Sequence, residues 1–205
     1  MRITFATIGL AALFWAGQVH AQALTFRGLG ASSISADVRK EFPQARVQNY
    51  CNEGETLKRS GEGETLCAEL AVENYVLDNV SFDLTFMFNP DGTLRYVLLT
   101  KTYGNFRSEE GGATVATINA TFTSLADLLS SKYGPPVADA PRPTFGGPVE
   151  DAREWQPGGG PRFRAAGDHI SLTSRGIESR TKPGTFRGSI QIFYRLAKRA
   201  EFDKF

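Results

Sequence analysis

Cysteine and histidine are scarce in this chain, with two of each among 205 residues. The sequence also lacks the Gly-x-Ser-x-Gly nucleophile turn, the His-Glu-x-x-His zinc helix and the phosphate-binding loop that ends in Gly-Lys-Ser/Thr. Gly28-Leu29-Gly30 lacks the third glycine of a dinucleotide-binding loop. Sequence support is therefore missing for the common hydrolase and nucleotide-binding classes, and we assign no catalytic, cofactor-binding or metal-binding residues.

Long apolar runs are absent except near the N terminus. Met1-Arg2 is a positively charged start, residues 3–15 are mostly apolar, and Val19-His20-Ala21 ends the stretch with small residues at two key positions. This pattern is typical of a secretory signal peptide, because the apolar run is too short for a membrane anchor. We expect cleavage after Ala21, with Ala23 as the second choice.

Removal of residues 1–21 leaves residues 22–205 as one exported domain, periplasmic or secreted. No cysteine lies near the cleavage point, so a lipid anchor is not expected. A chain of this length can bury a sizeable hydrophobic core by itself.

Cys51 and Cys67 are the only cysteines. Two cysteines in an exported chain predict one disulfide, which stabilises a fold by about 3 kcal/mol when it closes a loop of this size. A structural zinc site is not expected, because it needs four ligands and the mature chain has a single histidine. The glutamates between the cysteines follow no calcium-loop spacing, so we expect a solvated acidic loop.

Positive charge is concentrated near the C terminus. Without Arg2 the chain has 22 basic and 22 acidic residues, but residues 152–205 contain 11 basic and 5 acidic ones. Either these basic residues are scattered over a solvated sheet face, or they bind an acidic lipid or glycan. The second interpretation requires one shared face for Arg162, Arg164, Arg175, Arg180, Lys182 and Arg187. Export argues against nucleic acid as a partner.

Residues 81–101 have the clearest strand pattern, because large apolar side chains recur at every second position. Pro90 presets a turn and Gly92 tolerates positive φ, which predicts a hairpin with a type I turn and a glycine bulge. Residues 70–80 are predicted to add a third strand. The predicted register pairs Phe88 with Leu94, Phe86 with Tyr96 and Leu84 with Leu98, with all six side chains on one buried face.

Apolar residues at helical spacing predict two helices. The longer covers residues 113–133 and ends at Gly134, a residue suited to the turn that follows a helix. The shorter follows a strand at residues 24–29, begins with Ser35 as its N-cap and ends before Pro43. We expect the long helix to cover the apolar face of the hairpin.

Residues 136–161 are rich in proline and glycine and predict a long surface loop with a short strand at residues 152–156. Trp155 in this loop is a candidate binding residue, and half-buried packing is the alternative. Two strands at residues 169–173 and 189–196 are predicted to end the fold, with irregular structure between them.

His169 is the single histidine of the mature chain and a candidate general base. A structural role in hydrogen bonding is the alternative, because His169 begins a strand. A hydrolase would require a pocket in which His169 meets a carboxylate.

Several short features together resemble small proteobacterial periplasmic proteins. They are Gly28-Leu29-Gly30 before a Ser-capped helix, the paired cysteines, and the helix ending Lys132-Tyr133-Gly134-Pro135. The order of helix and sheet, repeated once, is similar to the tandem units of β-lactamase-inhibitor-like and BamE-like domains. The resemblance implies non-catalytic binding of proteins at the outer membrane or on an enzyme. This chain lacks the lipid-anchored cysteine of BamE-like proteins, and we transfer no residue roles.

The sequence therefore predicts an α+β fold with about six or seven antiparallel strands, in one sheet or two, covered by one long and one short helix. An internal repeat of residues 24–101 and 113–196 is compatible with this order. The predicted function is non-catalytic binding of a protein or another cell-envelope component. The alternatives are a periplasmic hydrolase that uses His169 and a binder of acidic lipid or glycan.

Overall fold

The protein is an α+β molecule with antiparallel strands and two helices, as predicted, and its large sheet has nine strands where about six or seven were predicted, in one sheet or two. The structure, a computed structural model, describes residues 24–50, 57–58, 65–66, 68–104, 111–139, 149–155 and 168–196. In chain order the elements are α1 (Ser35–Glu41), β1 (Arg46–Tyr50), β2 (Leu57–Lys58), β3 (Thr65–Leu66), β4 (Ala68–Leu77), β5 (Val80–Phe88), β6 (Leu94–Tyr103), β7 (Ala113–Thr114), α2 (Val115–Tyr133), β8 (Ala138–Asp139), β9 (Val149–Trp155), β10 (His169–Glu178) and β11 (Thr185–Arg195).

The large sheet has the strand order β1-β4-β5-β6-β11-β10-β9-β8, and β7 pairs with β11. Helix α1 precedes the meander β4–β6, and helix α2 precedes the meander β9–β11. The last strands of the two meanders, β6 and β11, pair at the centre of the sheet. The internal repeat itself stays a prediction. Neither helix in the described part of the chain has the length and apolar content needed to span a bilayer.

The β5–β6 turn has the predicted form. The backbone N–H of Gly92 donates to the carbonyl of Asn89 at 2.9 Å, and Gly92 has a φ of 81°. The carboxylate of Asp91 accepts the hydroxyl of Thr93 at 2.6 Å. These bonds fix the direction in which β6 leaves the turn.

The register beyond this turn differs from the predicted one. The pairs are Phe88–Leu94, Met87–Tyr96, Phe86–Val97 and Leu84–Leu99, with an irregularity after the first. Arg95 is the extra residue of a β-bulge, and a shift of one residue moves each later side chain to the other face. Tyr96 and Leu98 consequently lie on the face opposite Phe86, so the prediction of one shared apolar face is wrong.

The buried face of the hairpin is covered mainly by the N-terminal part of the chain. The rings of Phe26 and Phe42 lie 6.3 Å and 5.2 Å from the ring of Phe86, centroid to centroid. Helix α2 packs mainly on β10 and β11, and the guanidinium of Arg153 on β9 lies 5.5 Å from the ring of Phe122. The prediction that α2 covers the hairpin is wrong, because the β6–β11 pairing places a second apolar surface beside it.

Residues 24–29 form a tight turn where a strand was predicted. Phe26 and Leu29 exchange two backbone hydrogen bonds of 2.9 Å, and Arg27 and Gly28 between them both have positive φ. Two central residues with positive φ make a type I′ turn. Phe26 and Leu29 are buried on either side of the turn, and the Phe26 ring lies against Phe42 at the end of α1 and against Phe86 and Tyr194 of the sheet, so this segment acts as a wedge between α1 and the sheet.

Helix α2 ends at Tyr133 as predicted but begins two residues later than predicted, at Val115, because Ala113 and Thr114 form β7. The start of α1 differs from its prediction by one residue. Thr114 accepts the backbone N–H of Thr117 at 3.2 Å, and Gly134 follows the last turn of α2 with a φ of 85°. Ile34 occupies the N-cap position of α1, and the carboxylate of Asp37 accepts its backbone N–H at 2.9 Å. The prediction of Ser35 as N-cap is therefore wrong.

The two C-terminal strands are longer than predicted. Most of residues 174–187 belong to these strands, and the others form the turn that joins them. The inward positions there include Gly176 opposite Gly188, so the apolar alternation that marks a strand is missing. A Cβ on Gly188 would overlap the carbonyl oxygen of Arg175. The two glycines thus let the strands approach closely, but they also remove the apolar alternation by which a strand is recognised in the sequence.

The predicted disulfide partners Cys51 and Cys67 lie outside the described residues. The neighbouring residues Tyr50 and Ala68 face each other in the β1–β4 ladder. The disulfide stays a prediction.

Replacing Phe86 with Ala should destabilise the fold strongly, because Phe86 is 0 % exposed and contacts the Phe26 and Phe42 rings. We expect the free energy of unfolding to fall by about 3–5 kcal/mol in urea denaturation. Val76→Ala is the control and should change it by less than about 0.5 kcal/mol, since Val76 is 63 % exposed. Equal effects would contradict the core assignment.

Alkaline pH should weaken the fold through Tyr194. Burial raises the pKa of Tyr194 above its ordinary value of 10.0, and the nearby Tyr133 and Tyr75 add to the effect. The stability gained by keeping this phenol neutral is complete below pH 10 and is lost as the pH rises through the folded-state pKa. Above pH 10 the free energy of unfolding should therefore fall by up to about 1.4 kcal/mol per pH unit more in the wild type than in Tyr194→Phe. Parallel profiles would contradict this.

Candidate binding surface

One face of the sheet lies opposite the helices, and we call it the open face. The buried residues of α1 and α2 all belong to the inner core, whereas a second, smaller cluster on the other face contains, among the residues that the structure describes, only sheet residues. The pairing register arranges the open face in cross-strand rows. The aromatic row contains Thr85, Leu98, Phe193 and Ser171, and the polar row contains Asp83, Thr100, Gln191 and Thr173.

The aromatic row has an apolar centre. Leu98 and Phe193 face each other across β6 and β11, and both are partly exposed. They pack on Tyr96 and Met87, which are only 2 % and 1 % exposed. The rings of Tyr96 and Phe193 lie 4.8 Å apart at 32°. Buried side chains thus hold two half-exposed apolar ones in place, as in the centre of a binding surface.

The polar row supplies hydrogen-bonding groups without net charge at its centre. Thr100, Gln191 and Thr173 are partly exposed on three neighbouring strands. Their hydroxyl and amide groups both donate and accept hydrogen bonds. The described residues contain no group of three histidine, cysteine or acidic side chains that could hold a metal ion.

Charges of opposite sign flank these rows. Glu73 and Asp83 are exposed on the β4–β5 side, and Glu69 is buried there. Arg175 is exposed and Arg195 partly exposed on the β10–β11 side. Acidic residues therefore prevail on β4 and β5 and basic residues on β10 and β11, while Arg46 on β1 and Glu154 on β9 add the opposite charge on each side.

The structure groups four of the six predicted basic residues at one end of the β10–β11 hairpin. Arg175 and Arg187 lie on the open face, although Arg187 is buried, and Arg180 and Lys182 are exposed in the connecting turn. Glu178 lies in the same hairpin end, where its carboxylate accepts the backbone N–H of Gly184 at 2.9 Å. Arg162 and Arg164 lie outside the described residues.

Trp155 is in the core. It is 1 % exposed, and its indole N–H donates to the carbonyl of Gly134 at 3.1 Å. This bond ties β9 to the end of α2. The tryptophan therefore has the packing role that was the alternative to a binding role.

His169 lies at the start of β10 on the open face and is partly exposed. Arg195 faces it on β11. Ser171 follows two residues later on the same face, and Glu154 on β9 lies opposite Ser171. Glu154 is diagonal to His169, a position about 7–8 Å away that long side chains can bridge. A serine, a histidine and a carboxylate thus share one corner of the open face.

One catalytic spacing is present that motif reading passed over. Ser179 and Lys182 have the Ser-x-x-Lys spacing of some acyl-transfer enzymes. Ser179 is only 3 % exposed, and its hydroxyl accepts the backbone N–H of Lys182 at 3.2 Å in the β10–β11 turn. A catalytic nucleophile must be accessible to substrate, and Ser179 is buried. We therefore assign this pair a structural role in the turn.

Sequence reasoning did not find the open face. The sequence signal that was present is the apolar pair Leu98 and Phe193 at positions that alternate with core residues in their strands. Such residues point away from the core, and large apolar side chains that lie next to each other there indicate a binding surface.

Comparison of the chain with protein-family models, with curated proteins and with solved structures found no match. The resemblance to β-lactamase-inhibitor-like and BamE-like domains therefore stays a prediction.

Proposed function

We propose that this chain is a non-catalytic binding protein of the cell envelope that holds a protein partner on its open face. The observation that carries the proposal is the half-exposed pair Leu98 and Phe193 on its buried support of Tyr96 and Met87. Aromatic residues and methionine are enriched in the centres of protein interfaces, and aromatic side chains bury apolar area there with little loss of conformational freedom.

The charge pattern favours a protein over an acidic polymer. Exposed acidic residues on β4 and β5 and basic residues on β10 and β11 lie on opposite sides of the neutral rows. A partner with both signs of charge fits this arrangement, and complementary charge adds orientation and association rate. A polyanion would meet repulsion from Glu73 and Asp83.

The predicted export determines the compartment in which the chain would meet its partner. The N-terminal pattern predicts a secreted or periplasmic protein, so partners of the proposed surface are envelope or extracellular proteins.

A second candidate, hydrolysis, is favoured by one observation, the shared corner of His169, Ser171 and Glu154. If His169 is a general base, the wild-type protein should cleave an ester or amide, and both His169→Asn and Ser171→Ala should abolish this activity. The control variant Thr173→Ala should retain it. Turnover of a chromogenic ester that persists in these variants would remove this candidate.

Site-specific photo-cross-linking tests the binding proposal. A photoreactive residue replaces Thr100 on the open face, and in a matched control it replaces Val137, which is 58 % exposed at the end of α2. In the exporting host we expect the Thr100 probe to capture a defined protein and the Val137 probe to miss it. Mass spectrometry of the adduct identifies the partner.

Further substitutions link the captured protein to the surface. Phe193→Arg should lower capture at least tenfold, because it replaces the apolar centre with a charge. Val47→Arg should leave capture unchanged, because Val47 is 48 % exposed and faces Leu70 on the helix side of the sheet. Equal capture by both probes, or capture insensitive to Phe193→Arg, would contradict the proposal. Selective loss with Arg180→Glu and Lys182→Glu would favour the acidic lipid or glycan alternative.

A further inference from the structure

Leu24 makes a long-range contact. The backbone nitrogen of Leu24 donates to the carboxylate of Asp168 at 2.8 Å, across 144 positions of sequence. The Leu24 side chain is 3 % exposed, and Asp168 is partly buried just before β10. Leu24 is thus held against the C-terminal half of the chain.

The sequence around this contact contains a second processing pattern. Ala21-Gln22-Ala23 places small residues at positions −3 and −1 of the Ala23–Leu24 bond. The Ala-x-Ala pattern is the preferred one for signal-peptide removal. The sequence pattern favours the cut after Ala21 and offers the cut after Ala23 as the second choice.

We propose that the signal peptide is removed after Ala23 and that Asp168 binds the new N-terminal ammonium group of Leu24. Hydrolysis of the Ala23–Leu24 peptide bond consumes one water and leaves a carboxylate on Ala23 and an amine on Leu24. An α-amine of this kind titrates near about pH 7.7–8.0 in model peptides, so it carries a proton at neutral pH.

The chemistry of the contact suits an ammonium better than an amide. An amide offers one neutral N–H, whereas an ammonium offers three donors and a full positive charge. A hydrogen bond to a carboxylate is charge-assisted in either case, and an ammonium adds to it the Coulombic attraction between two opposite charges. Processing at Leu24 therefore completes a contact that the fold already contains.

This inference has a structural consequence for folding. Leu24 belongs to the wedge that reaches Phe26 and covers Phe86 of the hairpin. Asp168 precedes the strand that carries His169. The ion pair would fasten the wedge only after export, once the leader has been removed.

The first experiment determines the N terminus of the exported full chain by intact mass and N-terminal sequencing. We expect a mature chain that begins at Leu24. A chain that begins at Gln22 would overturn the processing site. Ala23→Leu provides a check, because it should block cleavage after Ala23 yet is tolerated when the cut follows Ala21.

The second experiment isolates the ion pair. Two proteins are prepared with native termini at Leu24 and at Gln22, each with Asp168 and with Asp168→Asn. In the Leu24 protein the substitution should lower Tm by about 4 °C more than in the Gln22 protein, because only the former loses the ion pair with the ammonium of Leu24. Equal losses in both proteins would overturn the role of Asp168.

Discussion

The pairing of β6 with β11 is the contact on which the rest of the structure depends. The ladder runs from Tyr103 opposite Gly188 to Tyr96 opposite Arg195 and makes one sheet of two meanders. On its inner side Leu99 faces Ile192, and both are fully buried. On the outer side it brings Leu98 to Phe193. The same ladder therefore completes the core on one face and creates the proposed binding surface on the other.

The bulge at Arg95 determines which residues reach each face. It turns Tyr96 outward, where the ring supports Phe193. The backbone of Arg95 does not lose its partner, because its carbonyl accepts the N–H of Leu196 at 2.9 Å just after β11 ends. A bulge interrupts one ladder locally and increases twist. Here the neighbouring strand satisfies the interrupted backbone, so the two hairpins depend on each other.

Local features were predictable from the sequence, and features set by distant neighbours were not. The turn at Gly92, the length of α2 and the glycine that ends it follow from short-range sterics and helical periodicity. The bulge has no local mark, because Arg95 looks like an ordinary outward residue of an alternating strand. The position of α2 could not be predicted either, since it depends on which strand pairs with β6.

The same difference between local features and features set by distant neighbours applies to the candidate surface. Trp155 drew attention as a binding residue by its type alone, yet its burial follows from the pairing of β9 with β10. Leu98 and Phe193 were not predicted to be binding residues, because neither has a distinctive feature in the sequence. Only the β6–β11 register places them side by side. Recognition surfaces on sheets are assembled from several strands, and single strands carry little of their signal.

Native-state hydrogen exchange tests the joining role of the central ladder most directly. If β6 and β11 fuse the two meanders, backbone amides of β4–β6 and of β9–β11 should exchange through one global opening with the same free energy. Buried amides such as those of Leu84 in β5 and Leu172 in β10 should then give matching values across a denaturant series. Two distinct opening energies, with one meander exchanging while the other stays protected, would contradict the account.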